Sequence, residues 1–223
     1  LHTALVAHWP GRTPVGQRTD ALVQYADILP TLLTAAGGNP KRHDYDGTSF
    51  LSVLEGKAEE HRRFVYGIHN NLPEGPPYPI RSVSDGTFHY IRNLRSDELY
   101  IEKHLMGGKG DAVLKNPYWQ TWMREAWTNP HTYQMVKRYM HRPPEELYNS
   151  VKDPYELINL ASTARHAKQL NVLRAELDRW LAEQGDPGSA VDMPAALKAA
   201  RDRFCKFRSR RLGCCLLYTS PSP

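Results

Sequence analysis

The alternation of apolar and polar positions changes period several times along the chain. Thr3 to Trp9 is an apolar run of strand length closed by Pro10-Gly11, the pattern of a strand buried on both faces. A helical period then replaces it. Asp27 is the predicted N-cap, Pro30 falls in the first turn, and Ile28, Leu29, Leu32, Leu33 and Ala36 share one face before Gly37-Gly38 stops the helix. Asp46-Gly47-Thr48-Ser49 turns the chain into a short helix, Phe50 to Leu54, which ends at Gly56. Strand-like segments follow at Phe64 to Ile68, Ile80 to Ser84 and Thr87 to Asn93, the last two flanking Asp85-Gly86, a strong hairpin signal. Leu147 and Tyr148 end a further strand, Asp153-Pro154 makes a turn, and Leu157, Ile158 and Leu160 are expected to return to a core. The last regular element is a helix from Thr163 to Glu183, with Leu170, Leu173, Leu177, Trp180 and Leu181 on one stripe.

These elements predict an α+β chain. Residues 1–56 read as the end of a larger α/β domain, represented by one strand and one helix. Residues 57–186 read as a small antiparallel sheet packed by the C-terminal helix, and 187–223 as a tail that does not pack. An opening strand buried on both faces needs partner strands, and the rest of the pattern supplies none for it.

Between hairpin and last strand, Tyr118, Trp119, Trp122 and Trp127 recur at helical spacing with Met123 and Ala126 alongside. The spacing predicts a helix face packed into a core, with stacking on sugar rings as the alternative. Gly107-Gly108-Lys109-Gly110 has no Ser or Thr after its Lys and no strand before it, so it is a loop rather than a phosphate cradle. Asp44, Asp46 and Glu55 mimic the spacing of a calcium loop, but Ser49 stands where that loop requires glycine.

The net charge of +5 is local. From Lys198 onward seven cations face only Asp202, which leaves residues 1–197 at −1, so the body of the chain is not basic and a nucleic-acid partner is not expected. No apolar run approaches the ~20 residues of a membrane-spanning helix, and no membrane partner is expected. Cys215 to Pro223 resembles translated sequencing-adapter sequence, while Cys205 and Cys214 lie in the basic tail, so the cysteines define neither a disulfide framework nor a zinc site. The histidines show no His-x-His or His-Glu-x-x-His spacing.

Glu145 to Ala161, Glu-Glu-Leu-Tyr-Asn-Ser-Val-Lys-Asp-Pro-Tyr-Glu-Leu-Ile-Asn-Leu-Ala, resembles the closing signature of the sulfatase family. Three earlier segments resemble that family in order: Leu1 to Gly11, ending in Trp-Pro-Gly; Ala26 to Gly37; and Asp46 to Leu54. Tyr78 to Val83, Phe88 to Leu94, and Asp153 to Glu156 leading to Asn159-Leu160-Ala161 are similar to members that act on N-sulfated glucosamine.

The resemblance implies the C-terminal part of a hydrolase of sulfate esters or sulfamates on sulfated saccharides. The family attacks sulfur with a hydrated formylglycine made from Cys or Ser, and holds sulfate with calcium and cations. No Cys-x-Pro-Ser-Arg occurs in this chain; Thr219 to Pro223 echoes it, but Pro223 stands in place of the Arg. No catalytic residue and no metal ligand is therefore assigned, formylglycine and calcium are expected in the parent enzyme, and the chain alone is expected to be inactive. The implied partners are a sulfated saccharide, the N-terminal half of the same enzyme and a second copy in a homodimer; the implied location is periplasmic or secreted.

Two residues remain as substrate-binding candidates. His69 ends the strand Phe64 to Ile68, and Arg81 opens the hairpin strand, where a guanidinium could pair with sulfate or a uronate carboxylate. A strand-end structural role for Arg81 and a solvated loop position for His69 stand beside that reading. A phosphodiesterase or phosphonate monoester hydrolase of the same superfamily, and a non-catalytic carbohydrate-binding or interaction module, are the competing functional classes.

Overall fold

The computed structural model describes residues 5–71, 76–107 and 115–192. In chain order the elements are α1 (Ile28–Ala35), α2 (Leu51–Leu54), β1 (Val65–His69), β2 (Ile80–Ser84), β3 (Phe88–Asn93), α3 (Lys103–Met106), α4 (Pro117–Glu125), α5 (Pro130–Met140), β4 (Glu145–Asn149) and α6 (Ala167–Glu183). The strands form a four-stranded antiparallel sheet in the order β1-β2-β3-β4, so the chain is α+β with a small sheet and helices. The hairpin lies where Asp85-Gly86 predicts it. Asp85 accepts hydrogen bonds from the Thr87 and Phe88 amides at 2.9 and 2.7 Å, and Gly86 takes a φ of 87°, which a side chain would strain.

Two compact units interleave along the sequence, one of residues Leu1–Tyr66, Val83–Tyr90 and Leu147–Ala167, the other of Gly67–Ser82, Ile91–Glu146 and Lys168–Pro223. In the first, residues 5–9 form no strand, and Leu5 and Val6 are exposed, against the expectation of a buried strand. An extended segment is stable only with a ladder partner, and no described strand pairs with this one. The α1 face also departs from expectation: Pro30 and Thr31 are the buried residues, while Leu29 and Leu32 are exposed.

Asp27 occupies the N-cap position of α1, but its side chain does not cap that helix. It is fully buried and accepts from the Thr48 amide at 2.8 Å, the Gln24 amide at 2.9 Å and Arg62 Nε at 2.7 Å, with a second Arg62 contact and His61 Nε2 at 3.2 Å. Burial pushes this carboxyl upward, but Arg62 and the two amides outweigh it and hold it below its ordinary value. Beside it, the buried Thr31 hydroxyl donates to the Asp27 carbonyl and accepts from the Phe50 amide, which ties α2 to α1. The Asp46-Gly47 turn must be glycine, because a Cβ at Gly47 would stand 1.9 Å from the Ala26 carbonyl oxygen.

The stretch after β4 belongs to the same unit. Its polar residues build turns: Asn149 accepts from the Lys152 amide, Asp153 from the Ile158 amide, and Asn159 from the Leu147 and Ala161 amides. Leu147 and Tyr148 lie in β4, as expected, and are buried, but Leu157 and Ile158, expected in a core, are exposed, because the Asp153 turn points that segment outward. His89 Nδ1 contacts Glu156 Oε1 at 2.7 Å.

In the second unit, Asn116-Pro117 and Asn129-Pro130 start α4 and α5. Each Asn caps its helix by accepting from a first-turn amide, and each Pro occupies a position where no amide is needed. Trp119 is fully buried with Met106 and Val136, and Ile101, Leu105, Ala126, Tyr139 and Met140 pack around them. Only this one of the four spaced aromatics is core; Tyr118, Trp122 and Trp127 are exposed. Helical spacing aligned them, but Tyr118 and Trp122 fall to one side of the buried direction, and Trp127 lies beyond the Ala126 cap.

The stripe of α6 behaves as predicted, with Leu170, Leu173 and Leu177 buried. Arg174 forks onto Glu145 of β4 at 2.8 and 2.8 Å, and Arg92 of β3 reaches Asp178 at 2.6 Å, which fixes the helix on the sheet. Buried Asn93 donates to Pro143 O and Glu146 Oε1, both at 2.7 Å, joining the ends of β3 and β4. Among the described residues no helix is long and apolar enough to cross a membrane. Of the predicted tail, 187–223, residues Gly188–Asp192 form a 3-10 turn and Gly188 accepts from Arg81, so its start packs against expectation; residues 193–223 lie outside the described residues.

Candidate functional site

Arg81 and His69 lie in the same unit, at neighbouring strands of the sheet. Arg81 is 1% exposed, an unusual position for a guanidinium, and it is fully partnered. Its Nε donates to Asp186 Oδ2 at 2.5 Å and its Nη2 to Asp186 Oδ1 at 3.1 Å, a forked pair. Nη1 donates to Asn70 Oδ1 at 2.7 Å and to the Ile80 carbonyl, and Nη2 reaches the Gly188 carbonyl at 3.4 Å. The arginine thus joins the end of β1, the start of β2 and the segment that follows α6. Arg81 and the Gly188 amide hold the Asp186 carboxyl below its ordinary value, although burial opposes them.

His69, the last residue of β1, is exposed, and its ring meets Tyr100 edge-on at 6.3 Å. Tyr100 continues an aromatic series inward, to Tyr78 at 5.1 Å and Tyr139 at 5.7 Å; Tyr139 meets Trp119 at 5.8 Å, and Trp119 meets Trp122 at 6.0 Å. The Arg142 guanidinium sits over Tyr100 at 4.3 Å and Tyr139 at 5.6 Å. Burial pushes the Tyr139 hydroxyl up to about 12, and Tyr78 and Tyr100 are raised for the same reason, so all three stay protonated at neutral pH.

The partners of Arg81 are not readable from the sequence. Asp186 stands next to Pro187-Gly188, which reads as a chain break, and Asn70 lies 11 residues from Arg81 along the chain. The Arg142 contact with two tyrosines is likewise tertiary, since nothing in the spacing of 78, 100, 139 and 142 signals it. Among the described residues, no three His, Cys, Asp or Glu side chains come together as metal ligands. The sequence contains no Cys-x-Pro-Ser-Arg from which a formylglycine could be made.

Known proteins resemble this chain over most of its length. An ulvan-active sulfatase of Formosa agariphila is 32% identical over 188 residues, covering 83% of this chain and 34% of the relative. Human N-sulphoglucosamine sulphohydrolase is 28% identical over 190 residues, covering 77% of this chain and 34% of the relative. A solved 2-O GAG sulfatase superposes with a TM-score of 0.46 at 23% identity, over 72% of this chain and 25% of that one. No family model matches.

The chain is homologous to sulfatases over most of its length, as its closing signature and the three segments before it led one to expect. It spans about a third of the length of the curated relatives it matches, consistent with the C-terminal part of a sulfatase.

Proposed function

We propose that this chain is the C-terminal portion of an enzyme that hydrolyses sulfate groups from a sulfated saccharide, N-sulfated glucosamine being the finer assignment. The match to an ulvan-active sulfatase over 83% of the chain carries this reading, and the similarity to N-sulphoglucosamine sulphohydrolase supports the finer one. On this reading the nucleophile, as formylglycine, and the calcium belong to sequence outside the chain. The chain alone is inactive, because the joint loss of nucleophile and metal removes many powers of ten in rate. The exposed Leu29 and Leu32 of α1 then face the rest of the parent.

The chain's own contribution is to shape the saccharide site. His69, exposed at the end of β1, is the residue that meets the saccharide. Arg81 acts on the same strand ends through Asn70 and Asp186, as a positioning residue. The test joins this chain to the upstream half of a sulfatase relative and measures release of sulfate from N-sulfated glucosamine and from a small aryl sulfate. Calcium-dependent turnover by the joined protein and none by the chain alone is the expected result. His69→Ala should raise KM for the saccharide more than for the aryl sulfate. Turnover by the isolated chain, verified intact by mass, would overturn the partial-enzyme reading. Hydrolysis of a phosphodiester in preference to both sulfated substrates would transfer the chain to phosphoryl chemistry.

A further inference from the structure

We infer that the outer surface of the α4–α5 helical pair is a binding platform for a sulfated saccharide chain, separate from the strand-end residues His69 and Arg81. This inference rests on the sulfated-saccharide reading for its choice of ligand. Its observations are independent of that reading.

Four aromatic side chains of the helical pair and its connection face solvent: Tyr118 is 74% exposed, Trp122 44%, Trp127 87% and Tyr133 of α5 49%. Tyr118 and Trp122 are four residues apart on α4 and therefore neighbours on one face. Trp122 is also fixed from beneath, since its ring rests at 6.0 Å from that of buried Trp119. Aromatic rings exposed to this extent are costly to leave in water, and such patches mark places where something binds. The rings are rigid, flat and polar at one end, which suits the apolar faces of pyranose rings.

Charge identifies the occupant. Residues 115–142 contain Lys115, Arg124, Lys137, Arg138 and Arg142 against the single carboxylate of Glu125, within a body that is otherwise net negative as far as residue 197; Arg142 is turned onto Tyr100 and Tyr139 and does not belong to the outer surface. Glu125 is itself engaged by the Asn129 amide. Arg124 on α4 and Lys137 on α5 are exposed, and the two helices pack against each other. Flat aromatic surfaces interleaved with cations match a ligand with sugar faces and sulfate groups. An apolar protein partner would desolvate Arg124 and Lys137 without offering them a counter-charge. Sulfate binds a guanidinium in the same forked manner as a carboxylate, so Arg124 is suited to one substituent while a ring stacks beside it.

The experiment uses the full 223-residue chain with three probes: a heparin-derived octasaccharide, the same octasaccharide after chemical desulfation, and inorganic polyphosphate. Tryptophan emission and calorimetry follow binding at low and at physiological salt. The sulfated octasaccharide should bind and shift the emission. The doubly substituted Tyr118→Ala/Trp127→Ala chain should lose about tenfold in affinity for it, while binding polyphosphate within about twofold of the unsubstituted chain. Lys137→Glu should weaken binding of both anions and lower the salt dependence. The cations from Lys198 onward are common to every variant and cancel in these comparisons. Both aromatic substitutions are at exposed positions, and unchanged circular dichroism would confirm the fold.

Three results would overturn the platform: equal affinity of the doubly substituted chain for the octasaccharide, equal losses for octasaccharide and polyphosphate, or tryptophans shielded by self-association that the octasaccharide leaves unchanged. Binding is read without turnover, so the two readings fail separately. A joined enzyme without sulfatase activity leaves the platform standing, and an active enzyme with tryptophans indifferent to saccharide removes the platform alone.

Discussion

Replacing Arg81 by Met removes a buried cation while keeping most of its length. The change leaves Asp186, whose side chain is only 5% exposed, without the two bonds at 2.5 and 3.1 Å that hold its charge. Breaking a buried pair from one side costs ~3–5 kcal/mol, because the remaining charge is desolvated and uncompensated. Asn70 Oδ1 and the Gly188 carbonyl also lose a donor, but both lie at strand or helix ends where water can replace it. We therefore expect a loss of ~4 kcal/mol. With a urea dependence of ~2 kcal/mol per molar, the unfolding midpoint should fall by roughly 2 M. Tryptophan fluorescence in urea reads this directly. Arg81→Met/Asp186→Leu removes both charges and should recover all but ~1 kcal/mol, since a buried pair replaced by apolar groups is often neutral. A shift below ~0.5 kcal/mol for Arg81→Met alone would refute the argument, and would return Arg81 to the list of side chains able to reach a ligand.

The other expectations concern unit cores and acid stability. Gly47→Ala should cost ~3 kcal/mol in the same urea assay, because its Cβ would meet the Ala26 carbonyl at 1.9 Å and only backbone movement can relieve it. Asn93→Leu should destabilise by ~2 kcal/mol, leaving Glu146 and the Pro143 carbonyl without their shared donor; a neutral result would show that water takes its place. Asp27, Glu156 and Asp186 are all held below their ordinary values, so on acidification the unfolded chain binds protons first. Their stabilisation is complete above the unfolded carboxyl range, about pH 4, and is lost as pH falls through the lower folded values. The urea midpoint should therefore drop steeply below about pH 4, and less steeply in Arg81→Met/Asp186→Leu.

The sequence by itself determined the features that depend on neighbours along the chain. Asp85-Gly86 specified the hairpin because an acidic acceptor and a residue free to take positive φ suffice for the turn. The stripe of Leu170, Leu173 and Leu177 specified α6 because only a helix gathers them on one side. The resemblance of Glu145 to Ala161 to a sulfatase signature pointed to the family, although that segment is chemically inert and serves to build turns.

Tertiary structure alone decided which polar side chains became structural. Asp27 was legible as a helix cap, yet Arg62, 35 residues away, draws it into a buried pair instead. Arg81 was legible only as a choice between a ligand-pairing cation and a strand-end residue, and its partner Asp186, 105 residues away, comes from the tertiary structure. Periodicity places side chains on a face but does not say what that face meets. That is why one of four helically spaced aromatics is core while three look outward, and why residues 5–9, apolar enough for a buried strand, are exposed without a ladder to join.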